Sequence, residues 1–227
     1  MSTQKNLDRY RGGPTMFRTS ILNRIEETKI MAIVRVETLK RAIEIADGCL
    51  AGGVDCLEIS YTLPNAGEMI KQLNEQYQEK LLVGAGTVLD SETARLAILA
   101  GAKFIIAPNY NESVCKLCNR YQIPYMPGCT SVTEMLTAIE AGAAMVKAFP
   151  ISSYYGPSLI ATLKTPTPYL PIMSSGGANL TNIHEWLESG VDCIGVGSLL
   201  TKGTQEEIME NAKQLKQAVI KHRTQKN

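Results

Sequence analysis

Histidine is scarce. Only His184 and His222 occur in 227 residues, and both fall in segments that read as outer helices. That argues against zinc catalysis and against a Ser-His-Asp arrangement, because each needs histidine beside its partners. Charge of one sign is also lacking. Lys plus Arg total 23 against 22 for Asp plus Glu, a net charge of +1. Nothing global therefore points to nucleic acid or a membrane surface, though a local positive site for an anion stays open. No run approaches the ~18 apolar residues of a membrane span. Met1 to Pro14 is polar, with no apolar core of a secretory signal. The six cysteines, Cys49, Cys56, Cys115, Cys118, Cys129 and Cys193, lie in apolar periodic segments instead of a loop-rich framework. The expectation is a cytoplasmic protein whose thiols act as small buried hydrophobes. Cys115-Lys-Leu-Cys118 is a C-x-x-C, but it sits in a helical stretch with no second ligand pair.

What is present is alternation. A polar stretch, residues 1–16, reads as a mobile tail ahead of one domain spanning 17–227. Phe17 to Lys29 has helical spacing and would cover one end of the fold. Eight strand candidates then follow: Ile30–Val36, Cys56–Tyr61, Leu82–Val88, Phe104–Pro108, Tyr125–Cys129, Met145–Phe149, Leu170–Ser174 and Cys193–Val196. Helices are expected from near Thr38, Ala66, Asp90, Glu112, Ser131, Pro157, Thr181 and Gln205. Asp90-Ser-Glu-Thr and the capping box Ser131-Val-Thr-Glu134 mark two of the starts. Eight strand–helix units in about 200 residues predict a single-domain α/β fold, a (β/α)8 TIM barrel with an extra N-terminal helix. A doubly wound sheet would show a Gly-rich loop after the first strand. Arg35-Val-Glu-Thr38 stands there instead.

A short internal repeat sharpens the picture. Gly53-Val-Asp-Cys-Leu-Glu58 and Gly190-Val-Asp-Cys-Ile-Gly195 nearly coincide. Gly101-Ala-Lys-Phe-Ile-Ile106 and Gly142-Ala-Ala-Met-Val-Lys147 share the frame. Each Gly suits a left-handed helix C-cap before a short loop. The repeat falls on strands two, four, six and eight, which fill alternate layers of such a barrel. It places Glu58, Ile106, Lys147 and Gly195 at one height, facing inward.

Lys147 lies among apolar neighbours, where an ammonium loses solvation and the neutral amine is the nucleophile of Schiff-base chemistry. A strand-end lysine reaching solvent, or half of a structural ion pair, fits the same pattern. Glu58 reads either as a general acid/base or as a carboxylate satisfied by a lysine. Lys103, at the opposite end of its strand, reads as structural. Ser174-Ser-Gly-Gly177 and Gly195-Val-Gly-Ser198 follow strands seven and eight, where barrels of this kind often hold a phosphate. Thr87 and Arg35 close strands three and one. Either is suited to a carboxylate, and either is compatible with simple exposure. Pro108 and Pro127 are read as strand ends.

In order, Ala51-Gly-Gly-Val-Asp-Cys-Leu-Glu-Ile59, Val83-Gly-Ala-Gly-Thr-Val88, Ala107-Pro-Asn109, Met126-Pro-Gly128, Val146-Lys-Ala-Phe-Pro150, Ser175-Gly-Gly177 and Gly195-Val-Gly-Ser198 closely resemble the 2-keto-3-deoxy-6-phosphogluconate (KDPG) / 4-hydroxy-2-oxoglutarate (KHG) aldolase family. The resemblance runs from about Phe17 to Lys221. It implies metal-free, cofactor-free class I aldol cleavage of a small 2-keto acid phosphate in a homotrimer. By that resemblance Lys147 is the Schiff-base lysine and Glu58 the general acid/base. Thr87 contacts the substrate carboxylate. Gly176, Gly177, Gly197 and Ser198 hold phosphate, and Pro108 lies beside the reacting carbons. Many members carry a carboxylate-binding arginine four residues after the glutamate. Thr62 stands there, and Arg35 matches the arginine that a second subgroup uses. Ser175 replaces the usual Thr of Thr-Gly-Gly, near the substrate hydroxyls, which leaves the galactonate epimer as an alternative substrate. A barrel epimerase or phosphosynthase would need paired carboxylates or metal-binding histidines on inner strands. A non-catalytic phosphosugar binder would need no buried lysine.

Overall fold

The computed structural model describes residues 17–226, so the expected tail lies outside the described residues. Helix α1 is Phe17–Thr28. The strands are β1 Ile30–Val34, β2 Cys56–Ser60, β3 Leu82–Gly86, β4 Ile105–Ile106, β5 Tyr125–Met126, β6 Gly128–Cys129, β7 Val146–Ala148, β8 Ile172–Ser175 and β9 Cys193–Val196. The helices between and after them are α2 Leu39–Ala51, α3 Ala66–Tyr77, α4 Ser91–Ala100, α5 Glu112–Arg120, α6 Val132–Glu140, α7 Ile151–Tyr155, α8 Pro157–Lys164, α9 Ile183–Glu188, α10 Ser198–Thr201 and α11 Gln205–Lys226.

All pairings are parallel, in the order β5-β4-β3-β2-β1-β9-β8-β7-β6. The two ends of that order are halves of one strand. Pro127 has no N–H to donate and interrupts it. The first half pairs with β4, through Ile105↔Tyr125, and the second with β7, through Gly128↔Lys147. Lys147 N–H donates to the Pro127 carbonyl at 2.8 Å, and Gly128 N–H to that of Ala107 at 2.9 Å. The circuit therefore closes as the (β/α)8 barrel that the alternation predicts. Pro127 lies inside a strand, not at its end, and a barrel tolerates it because its neighbours take over the hydrogen bonds.

Strands of a closed parallel barrel are buried on both faces. Met31, Cys56, Leu82, Phe104, Ile106, Met126, Met145, Met173 and Cys193 form the inner cluster. The alternate residues, such as Leu57, Ile59, Val83, Ile105, Val146, Ile172 and Ile194, pack against the helices. Helix α1 plugs the N-terminal end by adding Ile21 and Ile25 to the inner cluster. It is pinned there by Arg24, whose Nε donates to Asp55 Oδ2 at 2.7 Å and whose Nη2 donates to the Lys80 carbonyl at 2.6 Å. Lys103 sits at this closed end, its ammonium 5.5 Å from the Phe17 ring centre.

The repeat glycines Gly53, Gly101, Gly142 and Gly190 have φ of 86°, 107°, 99° and 83°, the left-handed conformation expected of them. The helix starts behave likewise. Thr38, Asp90 and Ser131 each accept a backbone N–H from three residues on, and Ser131 with Glu134 completes the capping box. The strands are shorter than the apolar runs, because Val88 and Ala107 stay buried beyond the last residues of β3 and β4. Two helices have no counterpart in the sequence reading, α7 and α10, which are single turns tucked into loops. Helix α9 starts at Ile183, two residues past Thr181. Among the described residues, no helix is long and apolar enough to cross a membrane.

Candidate active site

The inner pleat carries Cys56, Phe104, Met145 and Cys193 together. Two residues further along each strand, Glu58, Ile106, Lys147 and Gly195 continue the same inward face. Glu58 is 2% exposed and Lys147 7%. Lys147 Nζ lies 4.8 Å from the Phe149 ring centre. Among the described residues, it enters no ion pair and no hydrogen bond, so the reading of half a structural ion pair gains no partner. Glu58 Oε2 is buried without a hydrogen-bond partner. A buried carboxylate oxygen left unsatisfied is costly, and such a group asks for a reason beyond packing.

Gly86, opposite on β3, makes room for the carboxylate. A Cβ there would stand 1.8 Å from Glu58 Oε1. Pro108 sits at the rim of β4, its carbonyl so close to Gly128 that a Cβ on Gly128 would meet it at 2.0 Å.

A second cluster gathers where β1, β2 and β3 end. Ser60 is fully buried, two residues after Glu58 on the same strand face. Arg35 Nε donates to Ser60 Oγ in a long bond of 3.4 Å. Ser60 Oγ also pairs with Thr62 Oγ1 at 3.0 Å and Thr87 Oγ1 at 3.2 Å. Arg35, Thr62 and Thr87 thus meet at one hydroxyl, which sequence reasoning passed over. Thr87 has φ 58°, rare for a β-branched residue. Such strain persists only where surrounding structure enforces it.

A third cluster joins the loops after β8 and β9. Gly176 and Gly177 have φ of 90° and 86°. Ser152 and Ser153 of α7 both donate to the Ser175 carbonyl, at 3.1 and 3.0 Å, and Ser175 N–H donates to Ser152 Oγ at 3.2 Å. Gly176 N–H reaches the Gly195 carbonyl at 3.5 Å, tying the two loops together. Gly197 and Ser198 open α10, with Ser198 exposed. A surface hollow of about 620 Å³ begins at Ser198 and also takes in Asn179, Lys202, Glu207 and Glu210. The part played by α7 was not legible because a single turn has no periodicity to read. Among the described residues, no group of three or more His, Cys, Asp or Glu side chains is placed to hold a metal ion. Both cysteines of the C-x-x-C are buried in α5.

A family model described as KDPG and KHG aldolase matches residues 21–217. A 2-dehydro-3-deoxy-phosphogluconate aldolase of Treponema pallidum (strain Nichols) is 32% identical over 168 residues, 74% of this chain and 80% of that protein. A 2-dehydro-3-deoxy-6-phosphogalactonate aldolase of Escherichia coli (strain K12) is 33% identical over 177 residues, 78% of this chain and 86% of that protein. Among solved structures, native KDPGal superposes with a TM-score of 0.80 at 30% identity, covering 86% of this chain and 96% of the other.

Proposed function

Because this chain belongs to the KDPG and KHG aldolase family, we propose that it is a class I aldolase that cleaves 2-dehydro-3-deoxy-6-phosphogluconate to pyruvate and glyceraldehyde 3-phosphate. The same chemistry would extend to 4-hydroxy-2-oxoglutarate, giving pyruvate and glyoxylate. The observation that carries this reading is that Lys147 and Glu58 are both buried on one inner face, the lysine in no ion pair among the described residues and Glu58 Oε2 without a hydrogen-bond partner.

In the proposed cycle the Lys147 amine attacks the C2 carbonyl. The carbinolamine loses water, with Glu58 supplying the proton through a bridging water, and leaves an iminium. Glu58 then accepts the C4 hydroxyl proton as the C3–C4 bond breaks, and its electron pair flows into the iminium to give the enamine. Glyceraldehyde 3-phosphate departs. The enamine is protonated at C3 and hydrolysed, releasing pyruvate and the free amine. Arg35 and Thr87 hold the C1 carboxylate. Gly176, Gly177, Gly197 and Ser198 take the phosphate on backbone N–H groups and a hydroxyl, and Ser175 and Pro108 line the space between. No metal or cofactor enters the proposal.

The galactonate epimer is the second reading. Thr62 is tied to Ser60, and the cation of this cluster is Arg35, the residue after β1. What keeps the epimer open is Ser175, which stands in place of the usual Thr near the substrate hydroxyls. We further propose one barrel domain over 17–227 that works as a cytoplasmic homotrimer. Support for the compartment comes from six free, buried thiols. Support for assembly comes from Leu89, Leu96 and Leu99, on and before α4, which are 52%, 61% and 60% exposed. A coupled pyruvate-release assay on the two phosphorylated epimers and on 4-hydroxy-2-oxoglutarate tests the substrate. Pyruvate released from at least one of them is the expected result. No release from any would remove the aldolase reading.

A further inference from the structure

The Ser60 hydroxyl has one proton and two lone pairs. It faces three partners: Arg35 Nε at 3.4 Å, Thr62 Oγ1 at 3.0 Å and Thr87 Oγ1 at 3.2 Å. Arg35 Nε can only donate. A single arrangement of roles satisfies all three contacts: Ser60 accepts from Arg35 and from one threonine, and donates to the other. Its capacity is then used completely, which a fully buried hydroxyl requires.

We propose that Ser60 is a positioning residue that aims Arg35 and Thr87 together at the substrate carboxylate, with protons running from Thr62 to Ser60 to Thr87. Exposure sets that direction. Thr62 is exposed and can be served by water, whereas Thr87 is half-buried. A Thr87 that accepts from Ser60 keeps its own proton free for an anion. An Arg35 whose Nε is occupied by Ser60 presents its terminal Nη1–Nη2 fork outward, the geometry that grips a carboxylate bidentately. Ser60 also shares the face of β2 with Glu58 and pairs in register with Gly86, the residue under the Glu58 carboxylate. The anion clamp and the general acid/base are thereby held by one strand. The inference rests on the aldolase reading, and in particular on Arg35 and Thr87 as the carboxylate contacts.

The test compares Ser60→Ala, Ser60→Cys and Ser60→Thr in the full chain. Lys147 is trapped by borohydride over a range of pyruvate concentrations, and over a range of pyruvamide as a probe without the carboxylate. Ser60→Cys keeps the volume and supplies a folded hydroxyl-free variant even if alanine loosens the strand. Loss of the hydroxyl is expected to raise the half-saturating pyruvate concentration about tenfold in both hydroxyl-free variants. The pyruvamide dependence is expected to stay put, and Ser60→Thr to remain within about twofold of the unaltered protein for pyruvate. An unchanged pyruvate dependence in Ser60→Cys would overturn the inference. So would parallel losses for pyruvate and pyruvamide, which would mark Ser60 as merely structural. If the unaltered protein forms no adduct with pyruvate at all, the aldolase reading itself falls, and this inference with it.

Discussion

Alanine at Gly86 would place a methyl where the Glu58 carboxylate now lies. The ideal Cβ stands 1.8 Å from Oε1, 2.4 Å from Cδ and 2.5 Å from Cγ. Rotating the terminal oxygens cannot relieve three such contacts, so the whole side chain must move. Restoring ordinary contact near 3.4 Å takes a retreat of roughly 1.6 Å at Oε1. The backbone itself accepts alanine, because Gly86 is not in the left-handed region. The substitution therefore displaces one catalytic group with little reason to unfold the barrel. A misplacement of about 1 Å can cost ~10²-fold, and general acid/base assistance as a whole is worth ~10² to 10⁴. Gly86→Ala should lower kcat by that order while Lys147 still forms its pyruvate adduct. Adding Glu58→Gln should then cost little more, since both changes remove the same proton transfer. Pyruvate release followed at saturating substrate, with thermal unfolding as the check on folding, gives the answer. A folded Gly86→Ala protein with unaltered kcat would refute the role assigned to Glu58.

Other expectations follow from the same geometry. Gly176→Ala combines a φ of 90° with a Cβ 2.4 Å from Ser153 Oγ, so KM for the phosphorylated substrate should rise while that for 4-hydroxy-2-oxoglutarate changes less. Steady-state kinetics on both substrates check it. Phe104→Ala removes a fully buried ring from the inner cluster, which should destabilise by about 3–5 kcal/mol in chemical unfolding. Burial pushes the thiols of Cys49, Cys118, Cys129 and Cys193 from an ordinary 9.0 up to about 12, and that of Cys56 well above 9.0. Groups raised on folding contribute stability that is full below the unfolded value and is lost as pH climbs toward the folded one. The unfolding midpoint should therefore decline between pH 9 and about 12, and a constant midpoint across that window would contradict the burial.

The sequence carried the fold well because each unit repeats the same punctuation. A glycine after each repeat helix, a cap before the next and an apolar run between them are all local signals. The frame from Gly53 to Glu58 and from Gly142 to Lys147 gave the inward parity of both residues, since alternation along a strand is fixed once the start is fixed. The strand ends were less legible. Apolar character continues into the rim while pairing stops, and Pro127 looks like an end until the neighbouring strands are seen to bond around it. Ser60 is the larger omission. Nothing local separates it from any serine in a strand. Its part becomes visible only when Arg35, just after β1, and Thr87, just after β3, converge on its hydroxyl, which is tertiary information. Ser152 and Ser153 escaped for the same reason, as they act on the Ser175 backbone from a turn too short to be periodic.

The central claim is that the amine of the buried Lys147 forms the covalent intermediate. Incubation with pyruvate and borohydride, followed by peptide mapping in the mass spectrometer, examines it directly. A reduced pyruvate adduct on Lys147, absent from Lys147→Ala and from samples without pyruvate, is the expected result. An adduct on another lysine, or none on any, would contradict it.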